Sequence, residues 1–203
     1  MLDQKKFLSS EEVKALLRTS MLRAREALAS GHKVAVRDYF IVHLAISTGL
    51  RVMEIAQLKC SDIFLGDTAS SLIVRRGKGG KKRIVWFNGA FKHHYEEYIR
   101  WKQNIGEPTS PEDPLILSSN SRSHMTTRAI QKVFKKATAR AGLPSYYHIH
   151  CLRHTYASHL YKASGYNLRL VQKQLGHSSS QITEIYADVM GPDMHNALEK
   201  LFT

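Results

Sequence analysis

This chain is short of the usual covalent and membrane-seeking features. It has two cysteines, Cys60 and Cys151, in 203 residues. Two thiols without a framework spacing exclude a disulfide-stapled fold and suit a reducing compartment. Cys151 reads better as a small buried side chain than as a nucleophile. At this length one hydrophobic core suffices without staples. No apolar run reaches about 18 residues, so no membrane span is expected. The opening MLDQKKFLSSEE lacks the apolar centre of a signal peptide, and a cytoplasmic location is expected. Acidic side chains are also scarce, 17 against 30 lysines and arginines, leaving a formal charge of +13. That imbalance points to a polyanionic partner, most simply nucleic acid; a basic surface that binds nothing is the alternative. Carboxylates clustered to hold Mg²⁺ are missing, which argues against a metal nuclease.

What is present is mostly helical. Ser9 and Glu12 have capping-box spacing, and the helix they open is expected to run to about Ser30, ended by Gly31. Lys33 to Ser47 forms a second helix. Val36, Phe40, Ile41, Leu44 and Ala45 keep a helical period, and Val42 and Ile46 widen the stripe, so this helix belongs in the core. Gly49 then permits a tight break, and Val52 to Leu58 resumes as a short helix with Arg51 at its start, where backbone N–H groups favour an anion. Glu54 lies on the same face; a surface Arg51–Glu54 pair is the bland reading.

Between Ser61 and Phe87 the period changes. Ser71 to Arg75 and Arg83 to Phe87 read as strands of a hairpin whose tip is Gly77-Lys78-Gly79-Gly80-Lys81-Lys82. A basic glycine-rich tip can reach into a DNA groove or can be a solvated turn. It is no phosphate-cradling P-loop, because the spacing and the following helix are missing. Gly89 to Gln103 is amphipathic, and Phe91, Tyr95, Tyr98 and Ile99 suit a core better than a base-stacking platform. Gly106 to Pro114 carries three prolines and is the candidate hinge. Leu115 to Leu117 reads as a small strand. Thr126 or Thr127 caps a helix to about Gly142, whose Arg128, Lys132, Lys135, Lys136 and Arg140 make a basic face for phosphates or simply for solvent. Four further helices are expected, at His150 to Lys162, Asn167 to Leu175, Ser179 to Val189 and Asp193 to Leu201.

His150 and Arg153 share one face of their helix. Zinc on His148, His150, Cys151 and His154 is disfavoured, since the H-E-x-x-H pattern is absent and Arg153 between ligands repels a cation. His150-Cys151-Leu152-Arg153-His154, Leu175-Gly176-His177-Ser178 and Tyr186, nine residues past His177, together resemble the tyrosine recombinase (phage integrase) family. Thr48-Gly49-Leu50-Arg51 with Glu54-Ile55 resembles its first arginine motif, and Gly77-Lys78-Gly79 its lysine motif. No single motif decides; the ordered set from Arg51 to Tyr186 is specific.

The resemblance implies an α+β, mainly helical catalytic fold, with a small antiparallel sheet near residues 60–87. Residues 1–203 would be one catalytic domain; a helical core-binding domain, usual ahead of it in the family, would be absent from this chain. It implies a site-specific DNA recombinase or integrase that needs no cofactor and no metal, encoded by a prokaryote, phage or mobile element. Tyr186 would be the nucleophile and His150 would assist its proton transfer. Arg51 and Arg153 would clamp the scissile phosphate, His177 would hydrogen-bond it, Lys78 would protonate the leaving 5′-oxygen, and Glu54 would orient Arg51. Lys81, Lys82, Arg128, Lys132 and Lys135 would meet double-stranded DNA. A tetramer on DNA is implied, its C-terminal segment docking between protomers through Leu198, Leu201 and Phe202, although that stripe equally suits closing its own core. Asp188 stands where many members carry histidine. A non-catalytic DNA-binding or recombinase-partner module of the same fold is the alternative.

Overall fold

Ser9 caps α1 (Ser10–Ala29) by the expected reciprocal pair: its Oγ accepts from the Glu12 N–H at 3.2 Å, and Glu12 Oε2 accepts from the Ser9 N–H at 2.8 Å. The structure, a computed structural model, describes residues 7–75, 77, 80, 82–119, 121 and 123–176. The expected positions Lys78, Lys81, His177, Tyr186 and Asp188, and the two helices expected after Ser178, lie outside the described residues. So does the C-terminal docking stripe.

Helix α2 (Val34–Thr48) is the central rod, packed by α1, α4, α5, α6 and β3. Phe40, Ile41, Val42, Leu44 and Ala45 are all buried, as a helix apolar nearly all round requires. Gly49 ends it in the left-handed region, at φ 62°. After α3 (Val52–Gln57) and a single 3-10 turn come β1 (Ile63–Phe64), β2 (Ser70–Val74) and β3 (Arg83–Phe87), an antiparallel sheet in sequence order. The hairpin was expected, with β2 one residue later than it falls. The two-residue β1 was not, because two residues carry no period. Leu72 and Val85 face each other across the β2–β3 register and point into the core.

The free edge of β3 meets α7. The Gln174 side chain accepts from the Trp86 N–H at 3.2 Å and donates to the Trp86 carbonyl at 2.6 Å, with a second donation to Tyr156 Oη at 2.8 Å.

Helix α4 (Gly89–Asn104) stacks Tyr98 on Phe40 with ring centroids 3.7 Å apart, and seats Phe91 beside them, so its aromatics are core. It also places His94 against His43 of α2, Nδ1 to Nδ1 at 2.7 Å and both largely buried. Sequence reading missed this pair, since 51 residues separate its members.

Two expectations need correction. The proline-rich stretch after Gly106 is strapped down and is no hinge. Glu107 accepts from buried Arg37 at 2.5 Å, the buried Lys102 Nζ donates to the Pro114 and Leu115 carbonyls, and Cys60 N–H donates to the Asp113 carbonyl. Leu115–Leu117 forms no strand; the backbone there makes only isolated bridges, Lys59 with Pro114 and Leu117 with His124, while its three side chains are buried. The chain then continues through α5 (Thr127–Arg140), α6 (Ile149–Ala163) and α7 (Leu168–Leu175). No described helix is long and apolar enough to cross a membrane.

Candidate functional site

Three of the expected site residues lie on α3 and α6, which Arg153 links through the backbone just ahead of Arg51. Arg51 is the N-cap of α3, two residues past the glycine that ends α2. Arg153 lies on the second turn of α6, buried to 6% exposure. Its Nη1 donates to the Gly49 carbonyl at 2.6 Å and its Nη2 to the Leu175 carbonyl at 2.8 Å. Two of its five N–H donors thereby fix the guanidinium plane at the corner where α2, α6 and α7 converge. Gly49 has no room for a side chain there: a Cβ would lie 2.5 Å from Tyr156 Cδ1 and 2.9 Å from Leu175 Cδ2. Glycine is needed on both counts, the positive φ and the close approach.

Glu54 is the second organiser. The surface pair that the sequence permits is not what forms, because Glu54 is 6% exposed. Its Oε2 accepts from the Arg51 N–H at 2.8 Å and its Oε1 from Arg51 Nη1 at 3.1 Å. The backbone donor at the start of this six-residue helix is therefore taken, and holding an anion falls to the guanidinium. Arg83, at the head of β3, grips the same carboxylate with both terminal nitrogens, at 2.8 and 2.7 Å. Burial pushes the Glu54 carboxyl up, but the hydrogen bonds and charge of Arg83, the Arg51 N–H and the charge of Arg153 bring it below its ordinary value. It stays ionised.

His150 sits at the start of α6 with its ring partly in solvent, 6.0 Å from the His148 ring. Burial lowers its pKa, and the charges of His148, Arg153 and Arg51 lower it further. A neutral imidazole able to take a proton follows. The charges of both arginines thus reach the His150 ring. Cys151 is fully buried, its Sγ facing the His148 N–H at 3.5 Å, as its reading as a small core side chain expects.

A concave basic patch adjoins His150. Exposed Arg128, Lys132, Lys135 and Lys136 of α5 line it with His148 and His150, and Lys135 reaches the Ser145 carbonyl at 2.6 Å. The helical period of these cations puts them on one side of α5, while Ile130, Val133, Phe134 and Ala137 bury the other. Lys82 lies elsewhere, in a groove between β3 and α7 with Arg169 and Lys173.

A family model described as "Phage integrase family" matches residues 6–191. The chain belongs to the phage integrase family. Among members with similar sequences, the tyrosine recombinase XerD of Oceanobacillus iheyensis is 34% identical over 183 residues, covering 90% of this chain and 57% of that protein. The XerD of Brucella suis is 31% identical over 198 residues, covering 96% and 62%. The chain thus spans a little over half the length of these relatives. The crystal structure of XerA recombinase is 26% identical, with a TM-score of 0.73 over 97% of this chain and 66% of that one. XerH bound to difH substrate, in a pre-cleavage complex, is 25% identical, with a TM-score of 0.71 over 90% and 50%. The fold is therefore the mainly helical tyrosine recombinase catalytic fold with its three-stranded sheet, as the ordered motifs implied.

Proposed function

We propose that this chain is a site-specific DNA recombinase that cuts and rejoins double-stranded DNA through a 3′-phosphotyrosyl intermediate. The observation that carries this reading is Arg153 anchored on the Gly49 carbonyl, two residues before Arg51, with the charges of both arginines acting on a His150 that borders a basic patch. In it, the two guanidiniums hold the non-bridging oxygens of the scissile phosphate and offset charge in the transition state. Tyr186 Oη attacks phosphorus and loses its proton with help from His150. The bond from phosphorus to the 5′-oxygen breaks, and Lys78 supplies the proton that this oxygen takes. His177 donates to a phosphoryl oxygen. The phosphoester bond is exchanged, not hydrolysed, so a 5′-hydroxyl can reverse the step without ATP. Strand exchange between two duplexes needs four such tyrosines. A tetramer on DNA follows, with Leu198, Leu201 and Phe202 as the surface that docks one protomer on the next.

A pool of nicked suicide duplexes with randomised cores tests the chemistry. Incubated in EDTA, the protein is expected to yield a detergent-resistant adduct with DNA, and Tyr186→Phe none. An adduct that requires a divalent metal, or that survives this substitution, overturns the reading; a gel shift with no adduct leaves a DNA-binding module only.

The basic patch makes a separate expectation. If Arg128 and Lys132 each neutralise one phosphate, Arg128→Ala and Lys132→Ala should each flatten the slope of log binding constant against log salt by about 1. An unchanged slope, measured by fluorescence anisotropy on a non-cognate duplex, removes those side chains from the interface.

A further inference from the structure

Arg83 belongs to none of the motifs that carry the family resemblance, yet it touches both halves of the site. Its side chain is 10% exposed. Its two parallel bonds to Glu54 are short, while Arg51 holds the same carboxylate through one side-chain bond of 3.1 Å and stays 24% exposed. Paired charged groups in this fork geometry are the strongest of the common ion pairs. The Glu54 charge is therefore met first by Arg83. The three groups sum to one positive charge, and it is the more exposed Arg51 that can present it. At its other side, the Arg83 stem fills the space a Cβ of Gly176 would need. That glycine follows the Leu175 carbonyl that anchors Arg153. Among the described residues, Arg83 Nε is buried without an acceptor, so the anchoring rests on the terminal nitrogens.

We infer that Arg83 is a positioning residue that takes up the charge of Glu54 and so leaves Arg51 free to hold a phosphate. This deepens the proposed function and rests on its assignment of Arg51. Without Arg83, a buried carboxylate would have Arg51 as its nearest cation, and Arg51 would turn inward and lose its attraction for an anion.

Inorganic sulfate is a suitable probe, since it is tetrahedral like phosphate and keeps its charge between pH 5 and 8. Its binding to the full chain can be followed on the Arg51 Nε–H resonance by NMR. Arg83→Met is expected to weaken sulfate about tenfold at pH 7. Adding Glu54→Gln to Arg83→Met should restore affinity to within about threefold of the unsubstituted chain, because the competing charge is gone. Loss of packing alone would not be repaired by that second change. The single variant should also recover relative to the unsubstituted chain as pH falls toward 5, since Glu54 without Arg83 accepts a proton more readily. Should Arg83→Met fail to fold by circular dichroism, Arg83→Lys takes its place; it keeps the cation, loses the fork, and should bind about threefold more weakly. Equal affinity in Arg83→Met and the unsubstituted chain overturns the inference. So does a double variant no tighter than the single one, or an Arg51 resonance that ignores sulfate. DNA adducts separate the two levels. A normal adduct yield in Arg83→Met sinks the role of Arg83 alone. No adduct from the unsubstituted chain, with the sulfate series as expected, sinks the phosphotyrosine reading alone.

Discussion

Gly49→Ala is expected to lower stability by about 3 kcal/mol, combining a left-handed backbone penalty with overpacking. Its Cβ would press on Tyr156 and Leu175, at the junction where Arg153 holds the Gly49 carbonyl. A displacement there moves Arg153 as well, so DNA adduct formation should fall even below the new melting temperature. Gly31 is a built-in control. It has nearly the same backbone, φ 72°, with nothing within 4 Å of the added atom. Gly31→Ala should therefore cost only about 1 kcal/mol, the backbone part alone. Urea unfolding of the two variants measures the difference. Equal losses would mean that the crowding around Gly49 relaxes freely and that this corner is not rigid.

Acid should weaken the fold through the His43–His94 pair. At 2.7 Å, one Nδ1 presents the proton and the other the lone pair. A further proton on either ring breaks that arrangement. Burial pushes His43 down to about 4 and, together with the charges of His43 and His93, pushes His94 down to about 3. An unfolded imidazole titrates near 6.5, so between that pH and about 4 the unfolded chain binds more protons than the folded one. Stability is accordingly full above about 6.5 and drops as pH falls, by up to about 2.7 kcal/mol per unit while both rings stay neutral. Asp38 acts in the opposite sense, because burial raises its carboxyl and the folded chain takes that proton first. Replacing both rings, His43→Phe with His94→Phe, separates the terms. The double variant should lose most of the slope between pH 6.5 and 4.5, read as urea midpoints. An unchanged slope would assign the acid sensitivity to other groups with lowered pKa values, His150, His159 and Glu54.

Legibility in the sequence follows the range of the interaction. The Ser9–Glu12 cap and the glycine stop after α2 were readable because their partners lie within a turn. The burial of α2 was readable because its period is local. Arg51, His150 and Arg153 were singled out through ordered motifs, and Arg153 is anchored on the Gly49 carbonyl just ahead of Arg51. What escaped was set by distant partners. Glu54 meets Arg83 across 29 residues, and the pairing of two-residue β1 rests on β2. The apolar run at Leu115 was misread as a strand because its backbone is held by Tyr98 and Lys102 of α4 and by isolated bridges, not by a ladder. The proline-rich loop was misread as a hinge because Arg37 and Lys102, which hold it, sit in other elements.

Gln174 has a bearing on how copies of this chain coexist at high local concentration. Phe64, Ile84 and Trp86 leave an oily outer face on the sheet, each about half exposed, and β3 is its border strand. Such a border invites accretion of foreign strands, because unsatisfied peptide groups act as a template. At Trp86 the glutamine amide already occupies both peptide groups, mimicking the rung that an incoming strand would supply. The side chains can still make transient greasy contacts, but at this rung the main chain has nothing left to zip onto.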